Sequence, residues 1–141
     1  MTLDWLASNL EGVAATLGFP LILWQLWRNH RQRQFEAGMN IYAVNRELVQ
    51  MAMHDPELMK VLTGESSADM PKERHYAQLW LNHMEIIHHG GRKGFLSRSS
   101  WQSLQQDIRE SLNRPNIRRH WDEKADYYPA EFRNFINTDK P

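Results

Sequence analysis

The sequence predicts an all-α fold, with an N-terminal transmembrane helix continuing into a small cytoplasmic multi-helix domain. Three observations carry that prediction. Apolar residues recur at three- and four-residue intervals, and no segment sustains the two-residue alternation of a half-buried strand. Residues 12–27 run sixteen positions without a charge. The remainder is punctuated by Asp-Pro, Ser and Pro at helix-start positions.

The 141 residues suit one domain, or a short segment attached to one. Seventeen Lys+Arg balance seventeen Asp+Glu, which argues against a general DNA or RNA binder, since that needs a cation excess to displace counterions. The absence of cysteine excludes a disulfide scaffold, thiolate metal sites and cysteine nucleophiles.

Taken in order, residues 1–4 form a short extracytoplasmic tail and 5–27 the membrane span. Trp5 lies 19 residues before Trp24 and 22 before Trp27. That separation is roughly 28 to 33 Å along a helix, the distance between two interfacial indole belts. Asp4 and Glu11 lie on the N-terminal side, whereas Arg28, His30, Arg31 and Arg33 follow the apolar run. The positive-inside rule then places the N-terminus outside and everything after Arg28 in the cytoplasm. A cleavable signal peptide would carry its cations first. The alternative is a buried or interfacial amphipathic helix, favoured by Glu11 and the shortness of the apolar core. Pro20 removes a helical hydrogen bond and predicts a hinge. Ser8, Gly12 and Ala15 form one small-residue stripe, and Ala14 with Gly18 a second. Such stripes let helices associate closely in lipid, so a homo-oligomer is expected.

Residues 28–34 form a basic juxtamembrane collar, and 35–141 the cytoplasmic helical domain. Phe35, Met39, Tyr42, Val49 and Met53 continue the helical rhythm, so the rod is expected to end near His54. Asp55-Pro56-Glu57 starts a short helix that Gly64 ends. Pro71 opens a long helix to about His89, with Tyr76, Leu79, Trp80, His83, Met84 and Ile87 on one face, and Gly90-Gly91 is expected to stop it. Ser97 caps a helix carrying Trp101, Leu104, Ile108 and Leu112. Pro115 starts a helix placing Ile117 and Trp121, and Pro129 the last, with Phe132, Phe135 and Ile136.

These segments resemble a group of small bacterial membrane-anchored proteins of unknown function, the DUF4760 and DUF6082 families. The residues that carry the resemblance are LILWQLWR (21–28), MAMHDPEL (51–58), RHYAQLWLNHMEIIHH (74–89), 118–121 and 129–135. The resemblance implies a helical domain on a single-pass anchor in a bacterial inner membrane, and implies no reaction.

No metal, cofactor or enzymatic activity is expected. Glu85-x-x-His88 has the spacing of one half of a di-iron site, but no second such pair exists. His83, His88 and His89 are expected to be partly exposed or bonded to the Gly-rich turn. The serines sit at caps and in loops, and no phosphate-cradling Gly-rich motif follows a strand. The stronger feature is clustered positive charge. Arg92, Lys93 and Arg98 flank one turn, and Arg114, Arg118 and Arg119 surround Pro115 beside His120. Guanidinium groups suit phosphates and Tyr127 offers a stacking face, so these eight residues form the candidate anionic-ligand site. The competing reading pairs the arginines with Asp107, Glu110, Asp122 and Glu123 on a solvated surface.

The expected function is a membrane-anchored sensor or effector. The cytoplasmic domain binds a signal, such as the cyclic nucleotide oligoadenylate of antiviral defence, and acts on the bilayer through an oligomerised helix. The alternative is a non-enzymatic scaffold that tethers a protein partner through Met51, Met53 and Met59.

Overall fold

The structure, a computed structural model, describes residues 3–65 and 70–138, with side chains described from Gly18 onward. Among the described residues six α-helices follow one another: α1 (Leu3–Met53), α2 (Pro56–Thr63), α3 (Pro71–Arg92), α4 (Arg98–Ser111), α5 (Pro115–Lys124) and α6 (Ala130–Thr138). A 3₁₀ turn, Ala125–Tyr127, joins the last two. No strand occurs among the described residues.

Helix α1 has 51 residues, about 75 Å of rod at 1.5 Å per residue. The helix runs through Pro20 without a break. Every described side chain at positions 19–33 is exposed, Gln34 is half-buried, and apolar burial begins at Ala37, continuing through Ile41, Leu48 and Ala52. No helix of the described residues is long and apolar enough to cross a membrane. The expected span over 5–27 is thus not carried by the described part. Trp5, Ser8, Gly12, Ala14 and Ala15 lie outside the described side chains, and positions 18–27 alone extend about 15 Å, half a hydrocarbon core.

Helix α2 starts where its sequence says it should. The Glu57 N–H donates to Asp55 Oδ1 at 3.1 Å, Lys72 forms an ion pair with the same carboxylate, and Gly64 ends the helix at φ 76°. Helix α3 lies at the centre and touches α1, α2, α4, α5 and α6. It runs antiparallel to α1. The Tyr76 hydroxyl donates to Leu48 O at 2.5 Å near one end, and Gln34 Nε2 donates to Gly94 O at 3.1 Å near the other. Contrary to expectation, α3 does not stop at Gly90-Gly91 but reaches Arg92, and the left-handed turn falls at Gly94, φ 75°. The physical reason is packing. A Cβ on Gly91 would sit 2.2 Å from Trp101 Cε3, so this glycine is the notch that admits an indole from α4.

Ser97 caps α4 by accepting from the Ser100 N–H at 3.2 Å. Trp121, Tyr76, Phe132, Leu81 and Met84 are the largest side chains in the fully buried core. A second correction concerns the histidines. His83 and His88 are buried, not partly exposed. His88 packs against Trp101, Phe132 and Phe135 with ring centroids 5.8, 5.4 and 4.8 Å away. His89 alone of the three is exposed.

Candidate functional site

The helix spacings that build the core also build a cavity. Ile41, Tyr42, Asn45 and Val49 of α1, Trp80, His83, Met84 and Ile87 of α3, and Leu104, Asp107, Ile108 and Ser111 of α4 each repeat at three- and four-residue intervals. Those three faces meet around about 290 Å³, and Arg114, just past the end of α4, reaches in from the turn before α5.

The floor is apolar and the rim is not. The Arg114 guanidinium is half-buried, lies over the Trp80 ring at 5.6 Å, and reaches Ser111 Oγ at 3.4 Å. Burial pulls its pKa below the ordinary arginine value, although a guanidinium stays protonated. Asp107 and Glu110 line the same rim, and Glu110 accepts from Gln106 at 2.9 Å. His83 faces the cavity edge-on to Trp80, centroids 6.2 Å apart, and burial lowers its pKa, favouring the neutral ring. Behind Trp80 its indole Nε1 is buried without a hydrogen-bond partner. The arrangement offers a compact ligand one half-buried cation, two carboxylate acceptors and a flat apolar wall.

The eight basic and aromatic residues expected to form one anionic site do not converge. Arg114 lines the cavity just described. Arg92 lines a different one between α3, α4 and α6, and pairs with Glu131 at 3.6 Å. His120 and Tyr127 line a third, with Gln78 and Asn82. Tyr127 is 81% exposed, under the ammonium of Lys124 at 5.2 Å. Arg118 pairs with Asp122 at 3.1 Å, as the surface reading anticipated, and Arg119 is half-buried on the same helix. Lys93 and Arg98 are exposed at the α3–α4 loop. The reason is local backbone. Arg114 is the extended residue before α5 (φ −76°, ψ 126°) and reaches Trp80 of α3, whereas Arg118 lies within α5 and pairs along that helix with Asp122.

Sequence reasoning missed two groups. Tyr42 and His83 read as face residues and Asn45 carries no sequence signal, and only tertiary pairing turns them into a wall. Glu73, 2% exposed, takes a 3.4 Å contact from Asn116 Nδ2 across the α3–α5 seam. No sequence signal marks that buried polar pair. Nearby, His120 Nδ1 and Asn116 Oδ1 are buried without hydrogen-bond partners, and burial lowers the His120 pKa.

At the uncovered end of α1, Arg28 stacks over Trp24 at 5.5 Å and Arg31 over Trp27 at 4.8 Å, both one turn apart, while Arg33 is exposed. Gly18 has open space around it and Pro20 is exposed. Among the described residues no three His, Asp or Glu side chains converge as metal ligands.

No curated protein and no solved structure matches this chain. A family of unknown function, DUF6082, matches residues 7–128, from the first turns of α1 to the turn before α6. The chain belongs to the DUF6082 family.

Proposed function

We propose that the chain is a membrane-anchored sensor. In this reading α1 holds it to a bilayer, and the domain takes a compact signal in the cavity between α1, α3 and α4, one with an anionic group for Arg114 and hydrogen-bond donors for Asp107 and Glu110. One observation carries the reading. At positions 19–27 the side chains Phe19, Leu21, Ile22, Leu23, Trp24, Leu26 and Trp27 are each at least half exposed, all around one helix. A helix apolar on every side needs a non-aqueous environment, from lipid or from other copies of itself. The cationic collar at Arg28, Arg31 and Arg33 supports an N-out orientation and a cytoplasmic domain.

The cavity supports the sensing half because α1 is both its wall and the anchor. A ligand seated there meets the rod directly at Ile41, Tyr42, Asn45 and Val49. A volume of about 290 Å³ favours a small phosphate or carboxylate compound over a cyclic oligonucleotide. The scaffold reading has one support, the exposure of Met51 and Met53 at the far end of α1. Met59 packs against the core instead.

The intact chain is expected to stay with membranes through an alkaline carbonate wash and to leave them only in detergent. The detergent-solubilised chain is then heated with mononucleotides, inorganic phosphate, small carboxylates and cyclic oligoadenylate in turn. A compact anion is expected to raise Tm, and Arg114→Gln to remove the shift. Release by carbonate overturns the anchor, and a shift that survives Arg114→Gln overturns the cavity.

A further inference from the structure

The antiparallel course of α3 returns the chain to the collar. The Gln34–Gly94 hydrogen bond of 3.1 Å fixes the α3–α4 loop against α1 one residue beyond Arg33. Gly94 turns the chain there with φ 75°, and the Phe95 N–H closes the turn on Gly90 O at 2.9 Å. The tip is therefore a defined shape. It carries Lys93, Phe95 and Arg98, all exposed, and Phe95 is 55% exposed. Ile86, which lines a groove with Phe95, is 59% exposed, and Phe35, next in sequence to Gln34, is 68% exposed.

An exposed apolar cluster ringed by cations is the pattern of a surface that meets anionic lipid. Arg28, Arg31, Arg33, Lys93 and Arg98 stand at this end of the molecule. Glu36 is the nearest acid in sequence to the collar and accepts from Gln32 at 2.9 Å, while Glu85 lines the apolar groove between Ile86 and Phe95. Cations dominate. Height agrees as well. Gln34 lies about 10 Å along the rod from Trp27, and the headgroup layer extends roughly 5–8 Å beyond the hydrocarbon. Long lysine and arginine side chains bridge the remainder.

We propose that the α3–α4 loop is a second membrane contact, in which Phe95 enters the headgroup layer of an anionic bilayer and Lys93 and Arg98 meet lipid phosphates. This rests on the anchor reading and adds to it. The loop fixes the domain against the bilayer surface, so that α1 does not swing freely.

The absence of native cysteine permits single-site labelling of the full chain. Phe95→Cys and, as a distant control, Met53→Cys each receive an environment-sensitive fluorophore. The chain is reconstituted in phosphatidylcholine vesicles with or without about a quarter phosphatidylglycerol, and headgroup-quencher lipid is added. The label at 95 is expected to be quenched in the anionic vesicles and the label at 53 to stay bright. Adding Lys93→Glu and Arg98→Glu is expected to return position 95 to the level of position 53. Quenching just as strong without phosphatidylglycerol overturns the assignment to anionic headgroups. A chain that floats with the vesicles yet shows no quenching at 95 overturns the loop contact and leaves the anchor standing. A chain that does not float with the vesicles overturns both.

Discussion

The two halves of α1 are one continuous helix in opposite surroundings. From 37 to 52 its apolar residues are buried on one side, at Ile41, Leu48 and Ala52, and α2 and α3 cover them. From 19 to 33 nothing covers it. The sequence difference is one of arrangement. The covered half spaces its buried residues seven and four apart, whereas the bare half packs Leu21, Ile22, Leu23 and Trp24 consecutively. A periodic stripe fits a neighbour, and a consecutive run fits none on one side only. Isolated helices have little stability of their own in water, so the bare half depends on whatever environment encloses it.

The sharpest way to break that comparison is to cut the same side chain in both halves. Leu48→Ala is expected to lower the domain's unfolding free energy by about 2–5 kcal/mol, because it opens a cavity under α3. Leu23→Ala, equally large in chemistry, is expected to stay within about 0.5 kcal/mol, since no packed neighbour is lost. Denaturant unfolding followed by helix circular dichroism measures both. Equal losses would mean that the bare half folds onto the domain.

Glycines give a second, smaller contrast of opposite signs. Gly91→Ala drives a methyl into the Trp101 ring and is expected to cost about 1–3 kcal/mol. Gly38→Ala meets nothing within 4 Å in mid-helix, and is expected to raise stability by up to about 1 kcal/mol. Thermal unfolding of the two variants checks the signs.

Acid tests the covered region next. Burial lowers the pKa values of His83, His88 and His120. The unfolded chain then binds protons at a higher pH than the native one. Stability is full above about pH 6.5, the unfolded value, and falls as pH drops from there toward the lower folded values. His88 sits among Trp101, Phe132 and Phe135, so His88→Phe is expected to keep the fold and flatten part of the acid slope. A pH series of melting curves reads it, and an unchanged slope removes His88 from the account.

Element order was legible because caps and prolines act locally. Asp55, Gly64, Pro71, Ser97 and Pro115 mark boundaries that the structure keeps. Gly91 was misread because a glycine that ends a helix and one that admits a ring look alike until Trp101 is in place. His88 was misread for a related reason, since α6 supplies two of the rings around it from more than forty positions away. The candidate site was legible only in part. Arg114 lines the cavity, but proximity in sequence to Arg118 and Arg119 says nothing about which way each points. Tyr42 and Asn45 became site residues through pairing of α1 with α3 and α4, which no local pattern encodes.

The smallest expected effect lies at the joint between α1 and α2. Asp55 does two things there, capping α2 through the Glu57 N–H and pairing with Lys72. The Lys72 contact is the main cause that holds its carboxyl below the usual value. A depressed carboxylate pKa stabilises the fold above the unfolded value, and that contribution is lost as pH falls through the folded one. Asp55→Asn keeps a capping oxygen and removes the charge, so it is expected to lower stability slightly at neutral pH, less so in high salt, and not at all in acid. Asp55→Ala removes both contacts and is expected to keep a deficit at every pH. If the two variants melt together throughout, the cap contributes nothing and the joint is held by the apolar packing of α2 alone.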